Sequence, residues 1–294
     1  MKIHQSRSDR VFDGVNVFFL TVILCLTLYP LIYVLSASVS EPARVMNGEV
    51  ILLPRGFSAT AYAKVFKNND IWLGYGNTIL YTLVGTAINL VMTFFGAYPL
   101  SKKDLWGRKV ISLLLLFTMY FSGGMIPTYL IIKQLRLVDT FWVMVLPGAI
   151  ATYNLIVMRT YFVSSIPGEL FEAAEIDGAG VMRTILNVVL PLSMPILAVM
   201  VLFYAVGHWN SYFNALIYLN SRARYPLQIF LREIVVQNQF SDMMDTTEGF
   251  AEQAMLTESI KYCTIVVASV PMLILYPFIT KYFTKGVMLG AIKG

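Results

Sequence analysis

Glu172-Ala173-Ala174-Glu175-Ile176-Asp177-Gly178-Ala179-Gly180 gathers three carboxylates within six residues, between two strongly apolar stretches. No nucleophile or base stands among them, so they lack the partners that acid–base or nucleophilic chemistry requires. The chemistry open to such a patch is recognition. Pro167 suits the first turn of a helix, because its missing N–H is tolerated there. Glu169 then lies near the positive end of the helix dipole. Leu170, Ala173, Ala174 and Asp177 recur at helical spacing, and the two alanines thin the helix so that another protein's cleft can approach its backbone. Glu172 projects a charge for a basic group of that protein. Gly178 is placed to take the left-handed conformation that ends a helix and reverses the chain. A second short helix over about Val181 to Val189 then leads into Leu190-Pro191, completing a helix–glycine–helix lever. The plain alternative is a solvated amphipathic helix with no partner.

A second constellation is His208, Trp209, Asn210, Tyr212 and Asn214. Aromatic faces beside amide and hydroxyl groups suit the path of a polar solute. On a 3.6-residue period His208, Ser211 and Tyr212 share a face, with Trp209 and Asn210 on its flanks. The same residues equally suit hydrogen bonds that tie membrane helices together, and both readings stand. As a metal ligand His208 has no partner at ligand spacing. Arg222, Arg224 and Arg232 are candidates to meet an acidic solute or a partner protein, although Asp242, Asp245, Glu248, Glu252 and Glu258 oppose a simple anion funnel. Cys25 and Cys263 both fall in apolar runs, which argues against a disulfide framework or a zinc site. No G-x-x-x-x-G-K-[ST] occurs, so any ATP hydrolysis that drives this protein belongs to another polypeptide.

The elements that must hold these groups are membrane helices. The 294 residues are 57% hydrophobic and 13% charged, where a soluble domain carries about a quarter charged residues. Such a chain cannot cover its apolar surface with polar groups, so it belongs in a bilayer. A net charge of +5 is too modest to point to nucleic acid. The first apolar run, Val15 to Leu35, exceeds the ~7–15-residue core of a signal peptide and reads as a retained helix. Further spans are expected near 77–99, 110–132, 141–161, 191–218 and 262–283, the fifth bent by Pro191 and Pro195. The stretches 39–75 and 219–261 lie between spans on one side. Lys and Arg divide 12 to 10 between the two sides, and the larger set hugs the membrane on shorter segments. The N-terminus (1–13), the 101–109 loop, the acidic loop (about 162–190) and the C-terminus are therefore expected in the cytoplasm. No carboxylate lies deep in an expected span, which disfavours an ion-coupled carrier.

The Glu-Ala-Ala patch, its glycine and the following Leu190-Pro191 resemble the EAA loop of bacterial ABC-importer membrane subunits. The resemblance covers roughly residues 10–294. Met119-Tyr120-Phe121-Ser122-Gly123-Gly124-Met125-Ile126-Pro127-Thr128, Ala205 to Phe213, Tyr225-Pro226-Leu227-Gln228 and the tail Lys285 to Gly294 are similar to carbohydrate-importer subunits of the MalG and LplC type. The resemblance implies an all-α, six-span permease domain over 14–294 in a bacterial inner membrane, with no covalent chemistry of its own. It implies that Glu172, Ala173, Ala174, Asp177 and Gly178 dock into a groove on a cytoplasmic ATPase. The implied partners are a second related permease subunit, two ATPase subunits that carry ATP and Mg, and a periplasmic or lipid-anchored sugar-binding protein contacted by the 219–261 stretch. The implied cargo is oligosaccharide from polysaccharide breakdown, including uronic-acid polymers such as alginate.

Overall fold

The computed structural model describes residues 7–235 and 250–291, and the described residues form helices and turns joined by short connections. The chain divides into two compact units, Met1–Ile71 with Leu231–Val270, and Trp72–Phe230 with Pro271–Gly294.

In the first unit α1 (Arg7–Ser38) is apolar on all sides, and its 31-residue span is long enough to cross a bilayer. Thr21 and Thr27 return their hydroxyls to Val17 O and Ile23 O, as polar groups facing lipid must. The far end of α1 is packed: Ala37 is buried with Val45 of α2 (Pro42–Met46) and with Val50. Tyr62 of α3 (Thr60–Lys67) donates to Ser38 Oγ at 2.9 Å, and Cys263 Sγ–H donates to Ser38 O. Cys25 and Cys263 are both free thiols.

In the second unit α4 (Asn69–Ser101) carries two cores. Its C-terminal half contributes Phe94, Ala97 and Leu100 to a cluster with Leu155, Met158 and Phe162 of α7 (Thr152–Ser165), and with Ile185, Val189, Ile196, Met200 and Tyr204. Its N-terminal half contributes Tyr81 to a second cluster with Ile132, Val143, Val145, Ala215, Tyr218 and Ile229. Between these cores the contacts are polar. Thr93 Oγ1 and Tyr204 Oη lie 2.7 Å apart, and buried Asn89 donates to Gly148 O and Ala149 O at 2.7 and 2.9 Å.

Three expected spans are interrupted. The 110–132 span is α5 (Arg108–Tyr120) and α6 (Met125–Gln134), which meet at 113° across Phe121-Ser122-Gly123-Gly124. The paired glycines lower helix propensity at the break. The 141–161 span is a 3-10 turn (Phe141–Met144), an irregular stretch over 145–151, and α7, because Pro147 and Gly148 stop a helix there. Buried Asn89 supplies two of the hydrogen bonds that this irregular backbone needs. At 14 residues, or ~21 Å, α7 alone falls short of a ~30 Å hydrocarbon core.

The 191–218 span breaks in two places. Its first piece bends by 78° between 181–192 and α11 (Met194–Trp209), and α12 (Phe213–Tyr218) is separate. Among the described residues three helices are long and apolar enough to cross a membrane, or five if each bent pair forms one span. The 219–261 stretch is not simply a loop. It holds a 3-10 turn (Arg222–Arg224), α13 (Leu227–Val235) and the start of α14 (Phe250–Ala291). Leu227, Ile229, Phe230 and Ile234 are buried, which explains why α13 is helical. Asp242, Asp245 and Glu248 lie outside the described residues.

Candidate functional site

The acidic patch folds as α8 (Glu169–Ile176), immediately after a Pro167-Gly168 turn. No side chain caps its N-terminus. Glu169 and Glu172 instead place carboxylates in the first turn, where the helix dipole favours them. At the other end Gly178 adopts φ +69°, with Gly178 N–H donating to Glu175 O and Ala179 N–H to Ala174 O. That pair of bonds is the Schellman closure, and it satisfies carbonyls that the helix end would leave open. After Gly180 the chain re-enters helix as α9 (Val181–Thr184), passes through a π turn (Ile185–Val189) and reaches α10 (Leu190–Leu192). Tyr161 of α7 donates to Leu192 O at 3.1 Å, tying this segment to the helix before α8.

The two sides of α8 differ. Phe171 packs on the core cluster of α4, α7 and α11, and Ala174 is buried. Lys102, just past the end of α4, holds its ammonium 3.0 Å from the Phe171 ring centroid and 5.3 Å from that of Tyr98. Burial lowers the Lys102 pKa, and the Asp104 carboxylate partly offsets this. On the other side Glu172, Ala173, Glu175, Asp177 and Gly178 are exposed. Only one of the two alanines, Ala173, therefore thins the outer face. Among these charges Ile176 is 87% exposed, and Val181, which opens α9, is 68% exposed. Neither residue stood out in the sequence.

The second constellation does not share one face. α11 ends at Trp209, so Ser211 and Tyr212 lie beyond the helix and the 3.6-residue period does not reach them. His208 Nε2 is 2.6 Å from Asn89 Oδ1, bridging α11 to α4, and a Cβ on Gly85 would collide with its ring. Trp209 is buried, edge-on to Tyr75. Asn210 donates to Val206 O at 3.0 Å, while Tyr212 and Asn214 are exposed. His208 and Trp209 are thus engaged in contacts between helices, while Asn210, Tyr212 and Asn214 are exposed, with Gln228 Nε2 donating to Asn210 Oδ1 at 3.5 Å.

Arg224 donates to Asp139 Oδ2 at 2.7 Å, and Asp139 also accepts from Ser221 Oγ and from the backbone N–H groups of Asn220 and Ser221. The Ser221 hydroxyl above all holds the Asp139 carboxyl well below the usual carboxylate range, against a smaller opposing effect of burial. Arg222 lies 5.0 Å from the Phe230 ring centroid. Arg232 is half-buried on α13. Asp139 is the organising residue here, and its partners 81 to 85 positions away gave the sequence no local signal.

No family model matches the chain. It is 40% identical over 293 residues to Protein LplC of Bacillus subtilis (strain 168), covering 99% of this chain and 98% of that protein. It is also 40% identical over 288 residues to the polygalacturonan/rhamnogalacturonan transport system permease protein YtcP of the same organism, covering 97% and 99%. A crystal structure of a bacterial ABC transporter involved in import of the acidic polysaccharide alginate contains a chain 37% identical to this one. The two superpose with TM-score 0.87, over 96% of this chain and 100% of that one. The long apolar helices, the bent spans and this similarity along nearly the whole length agree, and the chain belongs to the carbohydrate permease subunits of bacterial ABC importers, which sit in the cytoplasmic membrane and leave ATP hydrolysis to a separate chain.

Proposed function

We propose that this chain is one of two related membrane subunits of an importer for acidic oligosaccharides of the alginate or polygalacturonan class, driven through α8. The observation that carries the coupling reading is α8 itself, anchored by Phe171 and Ala174 while it presents Glu172, Ala173, Asp177 and the bare Ile176 outward. An apolar centre with a charged rim is how a protein partner is gripped. In this reading Glu172, Ala173, Ala174, Asp177 and Gly178 form the contact and turn that meet a cytoplasmic ATPase, where ATP and Mg are bound. Closure of two ATPase subunits moves α8, the 181–192 segment and α11 together, and the cavity between the two permeases opens outward. The chain crosses the membrane six times, with bent pairs supplying two crossings and 141–165 a third. Both termini, the 101–109 loop and α8 face the cytoplasm. Asn210, Tyr212 and Asn214 line the solute path, and Arg222, Arg224 and Arg232 face the sugar-binding protein.

The substrate reading rests on the polygalacturonan/rhamnogalacturonan permease and the alginate importer that this chain is similar to. Its test is ATPase stimulation in proteoliposomes holding both permeases and the ATPase, with the cognate binding protein and a panel of neutral and uronic oligosaccharides. Stimulation by uronic oligosaccharides is expected. Equal or greater stimulation by neutral ones would overturn the acidic assignment.

A further inference from the structure

We infer that the groove where the 103–110 segment meets α7 is a binding site for the headgroup of an anionic phospholipid. The groove has a volume of about 660 Å³ and is lined by Lys103, Arg108, Lys109 and Arg159 together with apolar Val110 and Leu113. The segment's own carboxylate, Asp104, does not line it; its field acts on Lys102 and Tyr98. Among the described residues Lys103, Arg108 and Lys109 form no ion pair, and Arg159 donates only its Nε–H, to Leu100 O at 2.9 Å. Four cations, from α5, α7 and the loop that precedes α5, thus converge on one cavity, and no carboxylate among the described residues lines it. Ser112 adds a hydroxyl that has no hydrogen-bond partner among the described residues.

The groove also has the shape of a lipid. Ser112, Leu116 and Arg159 are shared with a second, narrower cleft of about 50 Å³, whose other walls are Leu100, Leu115, Leu155 and Ile156. A basic mouth therefore leads into an apolar seam between α5 and α7. Val110 and Leu113 flank the mouth at 62% and 67% exposure, and α5 has no buried residue. A free phosphate would satisfy the cations but leave those side chains bare. A phospholipid satisfies both, because its phosphodiester meets the cations while an acyl chain runs along α5.

The test uses the purified complex of both permeases and the ATPase, in neutral detergent, with native mass spectrometry of bound lipid. Palmitoyl-oleoyl phosphatidylglycerol is the probe, and phosphatidylcholine and glycerophosphoglycerol are the comparators. Phosphatidylglycerol should be retained over both. Each cation contributes roughly fivefold in affinity, so the K103Q/R108Q/K109Q variant should lose retention by on the order of a hundredfold. Equal retention of phosphatidylcholine, or unchanged binding in the triple variant, overturns the inference. Strong binding of glycerophosphoglycerol alone also overturns it and makes the groove a soluble-anion site. If the triple variant does not assemble, p-benzoylphenylalanine at Leu113 decides in the otherwise unaltered complex. Photo-adducts to phospholipid support the site, and adducts to the second permease in their place mean that a protein covers the groove. The outcome does not depend on the cargo or on the docking role of α8.

Discussion

Gly178 is the residue on which the α8 turn depends. At φ +69° a β-branched side chain costs about 1–2 kcal/mol, while no neighbouring atom crowds the position, so the penalty is conformational. Gly178→Val should therefore leave membrane insertion and pairing with the second permease intact. Association with the ATPase should weaken on the order of tenfold, since the turn that presents Asp177 and Glu172 is displaced. Glu172→Lys should weaken the same association without altering the turn, by reversing a charge at the contact. Co-purification and uptake assays on both variants check this, and normal ATPase association in both would remove α8 from the docking role. The glycine and the carboxylates were legible in sequence because their spacing is local. Asp139 was not, since its value comes from Ser221 and Arg224, which only folding brings near.

At the scale of elements, what could be read in the sequence was length and greasiness. α1, α4 and the middle of α14 appear as long apolar runs and are long helices. The breaks at 121–124, 145–151 and 210–212 were hidden because the flanking residues stay apolar, and an apolar run has the same composition whether straight or bent. Ser122-Gly123-Gly124 and Pro147-Gly148 were the available signals. How α8 is fastened also escaped the sequence, since Lys102 and Phe171 are 69 residues apart in the numbering. Phe171→Ala removes the ring that fills the core side of α8 and faces the Lys102 ammonium. Because Phe171 is only partly buried, the cost should lie below the ~3–5 kcal/mol of a fully buried Phe→Ala change. The outer face of α8 is untouched, so ATPase association should persist while uptake falls, and Phe171→Leu should restore part of it. Loss of ATPase association in Phe171→Ala would show instead that the ring builds the docking face.

At the scale of the whole molecule, the proposed entry of energy at α8 and the exposed Asn210, Tyr212 and Asn214 belong to opposite ends of one unit, joined along α4 and α11. Midway between them the joint consists of hydrogen bonds: Thr93 with Tyr204, and Asn89 with His208, Gly148 and Ala149. Apolar contacts can slide, whereas a buried polar pair that separates leaves both groups unsatisfied at about 1–3 kcal/mol each. These pairs therefore favour movement of α4 and α11 as one body over slippage between them. Asn89→Leu abolishes one set, orphans two carbonyls and removes the acceptor opposite His208. The expected result is a complex that still hydrolyses ATP when its binding protein is present but moves less sugar per ATP. Measuring uptake and phosphate release in the same proteoliposomes gives that ratio directly. Tyr204→Phe, which removes only the hydroxyl opposite Thr93, should lower the ratio by a smaller amount. If both rates fall in proportion, the midspan bonds act only on stability, and the movement travels by another route through the fold.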